Sequence, residues 1–163
     1  MVKNSEIIQT ERLILREINE TDAIEIVKWR SDPDVYKFFK SPHEITLEEH
    51  LKWYNDNYCL NKNRFDWICI EKKTGEKIGV FGLSFDNDVV EISYLLDRNA
   101  QHKGYAREII SCLSIYAFEK KEVYSIIAEI HKDNGASIRF IQGLGFTFLK
   151  CNGDFVIYCK KRS

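Results

Sequence analysis

The chain has no Cys-x-x-Cys spacing, and its five cysteines (Cys59, Cys69, Cys112, Cys151, Cys159) form an odd, scattered set. That pattern suits neither a disulfide framework nor a zinc site, so no metal is expected and the cysteines read as small apolar side chains. Proline and glycine are also scarce, two and eight in 163 residues, which excludes collagen-like and low-complexity chains and leaves no flexible linker. Nowhere do 18 apolar residues run together, and the segment Met1 to Gln9, which carries Glu6, lacks the apolar core of an export signal. A cytoplasmic protein with no membrane partner is therefore expected. Excess charge of one sign is missing too. With 24 basic and 25 acidic residues the net charge is −1, so no summed field draws in nucleic acid or anionic lipid. The basic tail Lys160, Lys161, Arg162 is short and terminal and reads as a solvated end.

What is present is the composition of one soluble domain, residues 1–163, with 44% hydrophobic and 30% charged residues and enough length to bury its own core. Arg12 to Arg16 alternates as a strand, and Asn19 to Asp22 supplies caps for a helix through Ala23, Ile26, Val27 and Trp29, ended by Asp32-Pro33-Asp34. Thr46 to Glu49 forms a capping box that opens a second helix through His50, Leu51 and Trp53. Phe65 to Glu71 and Lys77 to Asp86 make a hairpin about a turn containing Gly75. Val89 to Leu96 is a strand whose even positions Val90, Ile92, Tyr94 and Leu96 face a core, leaving Glu91 and Ser93 on a face free for a cleft. A polar loop leads to a helix from about Gly104 to Lys120, then to a strand from Tyr124 to His131. A short helix, Ala136 to Gly143, and a final hairpin of Phe146 to Lys150 with Phe155 to Lys160 complete the chain. The class is α/β (α+β): a mixed, mostly antiparallel sheet of seven strands with one βαβ crossover and helices on both faces.

The sharpest local signal is Gln101-His102-Lys103-Gly104-Tyr105-Ala106, between a strand and a helix. Gly104 can adopt backbone angles closed to other residues, Ala106 is small, and the free amides of the helix start form an anion site strengthened by the helix dipole. A pyrophosphate fits such a site, although a plain strand-to-helix turn shows the same residues. The pattern is neither a Walker loop nor the dinucleotide Gly-x-Gly-x-x-Gly motif.

It resembles the Gln/Arg-x-x-Gly-x-Gly/Ala signature of the GNAT N-acetyltransferases, and three further segments match in order. Thr10 to Arg16 is similar to the family's opening strand, Glu91 to Asp97 to the strand before the loop, and Asn134-x-x-Ser137-Ile-Arg-Phe140 with Leu144-Gly-Phe146 to the closing motif. The resemblance implies a GNAT fold, acetyl coenzyme A as acyl donor without a metal, and transfer to a primary amine by direct attack on the thioester. Gln101, His102, Lys103, Gly104, Tyr105, Ala106 and Arg107 would cradle the coenzyme A pyrophosphate. The strand ending at Leu96 would splay from the strand beginning near Tyr124, with Leu95 and Leu96 pairing through their backbone to the pantetheine. Asn134 is either a cofactor contact or a helix cap.

The resemblance also proposes catalytic roles. Glu91 is the first candidate for the base, against a solvated strand glutamate, and Glu129 on the facing strand is the second. The family's usual tyrosine acid falls at Ile141, so the acid role passes to Ser137, as in the ribosomal-protein alanine acetyltransferase branch. Absence of that tyrosine also admits a non-catalytic coenzyme A sensor. The segment from Trp29 to Pro33, followed by Thr46 to Trp53, is similar to the amino-sugar N-acetyltransferases of the pseudaminic-acid pathway, which act on a nucleotide-linked 4-amino sugar. There Arg30 or His50 would meet a phosphate and Trp53 or Tyr54 would stack on a base or sugar, unless the tryptophans are core residues. Other acceptors open to the family are protein N-termini and small polyamines, and a homodimer is common within it.

Overall fold

The computed structural model describes residues 6–163; of the segment Met1 to Gln9, the part before Glu6 lies outside them. Its strands are β1 (Ile8–Gln9), β2 (Leu13–Glu17), β3 (Arg64–Glu71), β4 (Lys77–Asp86), β5 (Val89–Leu96), β6 (Ser125–His131), β7 (Thr147–Asn152) and β8 (Phe155–Lys161). They join in one sheet of order β1-β2-β3-β4-β5-β6-β8-β7. The sheet therefore has eight strands where the sequence predicts seven. The extra one, β1, is two residues long and pairs with Ile14 and Leu15, too short for any alternation to announce it.

Every neighbouring pair is antiparallel except β5 with β6, which are joined by the crossover helix α4 (Tyr105–Ile115) and a wider turn, Tyr116–Lys120. The other helices are α1 (Ala23–Arg30), α2 (Pro33–Tyr36), α3 (Leu47–Trp53) and α5 (Gly135–Gly143). Among the described residues no helix is long and apolar enough to cross a membrane. No group of His, Cys, Asp or Glu side chains among them is placed to hold a metal ion.

The period-2 alternation of the strands separates two cores. On one face Leu13, Leu15, Trp67, Phe81, Leu83, Val90, Ile92 and Ile126 pack against Ile109, Ile110 and Leu113 of α4 and Ile141 of α5. On the other face Ile68, Val80 and Leu95 pack with Ile18, with Ile26 and Trp29 of α1, and with Trp53 of α3. Val90 and Ile92 thus face a core as expected, while Glu91, Ser93 and Leu95 point toward α1 and α3.

Local chemistry fixes the ends of these elements. Asp22 caps the turn before α1 with Asn19 and is completely buried between Arg16 and Lys77, each at 2.8 Å. Only half of the expected capping box forms at α3. Thr46 Oγ1 accepts from Glu49 N at 3.1 Å, whereas the Glu49 carboxylate turns to His43 at 3.6 Å.

The sheet opens between β5 and β6. Their pairing is confined to Val89 with Ser125, Val90 with Ile126 and Glu91 with Ile127. Beyond that point β5 stays with β4 as far as Leu96, and β6 stays with β8 as far as His131. The end of β5 is drawn further from β6 because Asp97 N donates to Ile78 O at 2.8 Å and its carboxylate accepts from Trp29 Nε1 at 2.7 Å. Among the described residues, one edge of Ile92–Leu96 is therefore left without a strand partner.

Candidate active site

The turn before α4 lies at the mouth of this gap. Gly104 takes the cap position with φ +81°, preceded by His102 at +63°, and no side chain caps the helix. A residue with a β-carbon is strained at such a φ. The leading amides of α4 are consequently left for an external acceptor, at the positive end of the helix dipole and next to the exposed Gln101–Gly104 backbone.

A brace holds this turn from below. Arg12 Nη1 donates to Lys103 O at 2.9 Å, and Arg12 Nε donates to Glu108 Oε1 at 2.8 Å. Glu108 Oε2 accepts from Arg12 N at 2.9 Å and from Thr10 Oγ1 at 2.5 Å. Burial alone would raise the Glu108 pKa, but these donors outweigh it and hold the carboxyl below its ordinary value. The Arg12 guanidinium also lies 4.3 Å from the Tyr105 ring centroid, and the Tyr105 hydroxyl hydrogen-bonds Glu71. The Tyr105 side chain is thus committed inward, and only its main chain faces the gap. Thr10, Arg12, Glu71 and Glu108 build this brace, and sequence reasoning misses it because their partners lie 34 to 98 positions away.

Within the gap, Leu95 and Leu96 present the open edge of β5. Asn134 Oδ1 accepts from Ser137 N at 3.3 Å, which is the helix-cap geometry. Ser137 Oγ lies 2.5 Å from the Tyr94 hydroxyl. Burial pushes the Tyr94 pKa up, and the bond to Ser137 offsets this only in part. Ile141 is fully buried in the core beside α4, so no polar group occupies the position of the family's tyrosine. Tyr94 instead brings a phenol to Ser137 from β5, across from α5. Alternation predicts its face correctly but not its partner.

On the α1 and α3 face a cleft of about 300 Å³ is lined by Arg30, His50, Trp53, Arg64, Asp66, Ser93 and Tyr94, among others. Strand register builds its floor in rows. Asp66, Gly82 and Ser93 lie side by side across β3, β4 and β5, and Arg64, Ser84 and Glu91 form the next row on the same face. Gly82 keeps the floor open, because a β-carbon there would sit 2.4 Å from Asp66 Oδ1 and 3.0 Å from Ser93 Oγ. Three of the four acceptor candidates (Arg30, His50 and Trp53) line this cleft. Tyr54 does not. It stacks on Tyr58, centroids 5.6 Å apart, and burial pushes its pKa up to about 12.

Glu91 stands one row beyond Ser93, in the row of Arg64, and does not itself line the cleft. Burial raises its pKa, and the neighbouring Glu129 charge raises it further, against the opposing charges of Lys40 and Arg64. A carboxylate with a raised pKa is the stronger base. Glu129 is differently placed. Lys40 Nζ is 2.8 Å from its Oε1, which also accepts from Asn152 Nδ2 at 3.3 Å, so its charge is already engaged.

The open strand edge and the uncapped helix start fit coenzyme A as the family holds it, and comparison with known proteins agrees. The Acetyltransferase (GNAT) domain family matches residues 12–147. N-acetyltransferase p20 of Bacillus licheniformis is 32% identical over 148 residues, covering 86% of this chain and 82% of its own. Acetyltransferase PseH of Campylobacter jejuni is 28% identical over 148 residues, covering 90% of each. The structure of RimL, a ribosomal L7/L12 alpha-N-protein acetyltransferase in complex with coenzyme A, has the same fold, with a TM-score of 0.82 at 20% identity over 96% of this chain and 98% of that one. The chain therefore belongs to the GNAT acetyltransferases, acyltransferases that use acetyl coenzyme A and act on amines.

Proposed function

We propose that this chain is a single-domain cytoplasmic enzyme that acetylates the primary amine of a nucleotide-linked 4-amino sugar by direct attack on the thioester. The observation that supports transfer best is the gap between β5 and β6, which opens at the uncapped start of α4. Acetyl coenzyme A, when bound, supplies the thioester carbon and the sulfur leaving group. Main-chain amides from Gln101 to Arg107 hold its pyrophosphate, and Leu95 and Leu96 pair with its amides along the open edge.

Glu91 takes one proton from the acceptor nitrogen, directly or through a water, as the N–C bond forms and the C–S bond breaks. Ser137, hydrogen-bonded to Tyr94, returns a proton to the sulfur, so the products are an acetamide and a free thiol. The burial that raises the Glu91 pKa suits proton abstraction, and the burial that raises the Tyr94 pKa keeps its phenol protonated as a hydrogen-bond donor to Ser137. Glu129 keeps Glu91 basic through its charge and is not assigned a proton-transfer step.

The acceptor reading is supported by the cationic and aromatic lining of the cleft, Arg30, His50, Trp53 and Arg64. The direct test is thiol release from acetyl coenzyme A with a panel of amines. Release with the nucleotide-linked amino sugar is expected. Release only with peptides beginning in alanine or serine would make the chain a protein N-terminal acetyltransferase. Tight coenzyme A binding with no release from any amine would make it a sensor.

A further inference from the structure

The segment between α2 and α3 joins helices that belong to the β3, β4 and β5 side of the gap, yet it is fastened to the other side. Phe39 lines the cleft and meets the Arg30 guanidinium, 5.5 Å from its ring centroid. Its neighbours reach across the gap. The Phe38 ring lies 5.8 Å from the His131 ring of β6, and Lys40 Nζ lies 5.6 Å from the Phe155 ring centroid of β8. Lys40 Nζ is also 2.8 Å from Glu129 Oε1, joining a side chain 66% exposed to one only 11% exposed.

Glu129 shares a face with Glu91. Register pairs Glu91 with Ile127, and Glu129 follows two residues later on β6, so both carboxylates stand on the same side of the sheet. Carboxylates so placed disfavour each other's charge. After burial, the Glu129 charge raises the Glu91 pKa, while Lys40, and then Arg64, oppose it. Lys40 in turn has its own pKa raised, chiefly by the hydrogen bond to Glu129, so it is charged wherever Glu91 titrates. The other polar groups on this face are held or stand further off. Asn152 Nδ2 donates to Glu129 Oε1 at 3.3 Å, and His131 Nδ1 accepts from Asp133 N at 3.1 Å. Uncharged Ser84 lies between Glu91 and Arg64 in their row, and Arg64 is paired to Asp66 at 3.1 and 3.2 Å. Arg30 of α1 and His50 of α3 border the cleft beyond.

We infer that Lys40 is a positioning residue, which by pairing with Glu129 sets the proton affinity of Glu91. This deepens the acetyltransferase reading, in which Glu91 is the base, and rests on it. With Lys40 in place, Glu91 meets charges of both signs and titrates by itself. Without Lys40, Glu91 and Glu129 face each other uncompensated and hold one proton between them, where the reaction needs a free carboxylate. The cation that prevents this is carried next to Phe39, on the segment that borders the acceptor cleft.

Two measurements test this, and the first does not need catalysis. Carboxyl-carbon NMR of Glu91 is followed across pH in the full chain without acceptor. Lys40→Met should raise the midpoint of the Glu91 titration, Glu129→Gln should lower it, and the double variant should fall between them. Lys40→Arg, which keeps the charge, should stay with wild type. The circular dichroism spectrum and coenzyme A affinity serve as controls of folding, since an exposed lysine contributes little to the core. The second measurement is the pH profile of kcat/KM. On its acid limb Lys40→Met should lose roughly threefold, the scale of one charge acting through a solvent-facing site, and should regain the wild-type rate on the alkaline side, where Glu91 is ionised in every variant. High salt should shrink the difference, because Lys40 is exposed. A Glu91 midpoint unmoved by Lys40→Met, or a rate loss equal at every pH, as a merely structural role would give, overturns the inference. A midpoint that follows Lys40 in a chain that turns over no amine would uphold the pairing and remove the acetyltransferase reading.

Discussion

At the turn before α4, Arg12 and Glu108 satisfy each other within the chain, and together with Thr10 and Tyr105 they fix the backbone that an anion would meet. At the wall beside α3, Arg30 has no hydrogen bond or ion pair among the described residues and meets the Phe39 ring, and His50 Nδ1 has no hydrogen-bond partner among them. The first region is complete before any ligand arrives, so its contribution is preorganisation. The second keeps polar groups on the cleft wall whose hydrogen bonds the described residues leave unmade. In an enzyme that uses one acyl donor and chooses among acceptors, rigidity belongs at the donor end and unmet polarity at the acceptor end.

Substitutions can break this contrast, and the largest effect is expected between the two regions. Glu91→Gln should lower kcat by about 100-fold while leaving coenzyme A affinity alone. Because burial and Glu129 raise the Glu91 pKa, the acid limb of the kcat/KM profile should bend at a higher pH than an ordinary glutamate, with rate rising as the base loses its proton. Loss of that limb in the variant is the checking measurement, and an unchanged limb would assign the base elsewhere. Gly104→Val comes next. It forces a branched side chain into φ +81° and should raise the coenzyme A dissociation constant at least tenfold, about 1.4 kcal/mol by calorimetry. Equal affinity would remove the loop from the cofactor site.

Tyr94→Phe should be milder, lowering kcat roughly fivefold for one lost hydrogen bond of about 1 kcal/mol. Its effect on affinity for either substrate should be small, so single-turnover rates are the proper readout. The smallest effect belongs to the brace. The depressed Glu108 pKa means that its ion pair stabilises the fold above the unfolded pKa, and that this stability is lost as pH falls through the folded value. Glu108→Gln should therefore lower the thermal midpoint at neutral pH by roughly 3 °C, the equivalent of about 1 kcal/mol, and should match wild type at acid pH below the ordinary carboxylate range. A difference that persists at that pH would mean that packing, not charge, is what Glu108 contributes.

Much of this was legible because it is local. Hairpins announce themselves through turn residues such as Gly75 and Gly153, both at positive φ, and the alternation along β5 places Glu91 and Ser93 on the cleft side. Gly104 is readable as the cap of α4 because its role needs only its immediate neighbours. The opening between β5 and β6 is not written in any periodicity. It arises because each strand keeps its other neighbour, and it was anticipated only by family resemblance. The brace is invisible for a different reason, since Thr10 and Arg12 look like an ordinary strand entry until Glu108 arrives from a helix 96 to 98 residues later. Likewise, helical spacing puts His50 near Trp53 but does not reveal that its Nδ1 is buried with no hydrogen-bond partner among the described residues.

The three residue pairs that join β5 to β6 are a narrow seam between five strands on one side and three on the other. On the proposed reading, the pantetheine lies along the rest of that boundary and serves as a temporary strand. The sheet is then whole only in the loaded state, and each departing product leaves it partly unstitched. Amide exchange should accordingly be slowest on both sides of the seam while coenzyme A is held, and should quicken there when it leaves.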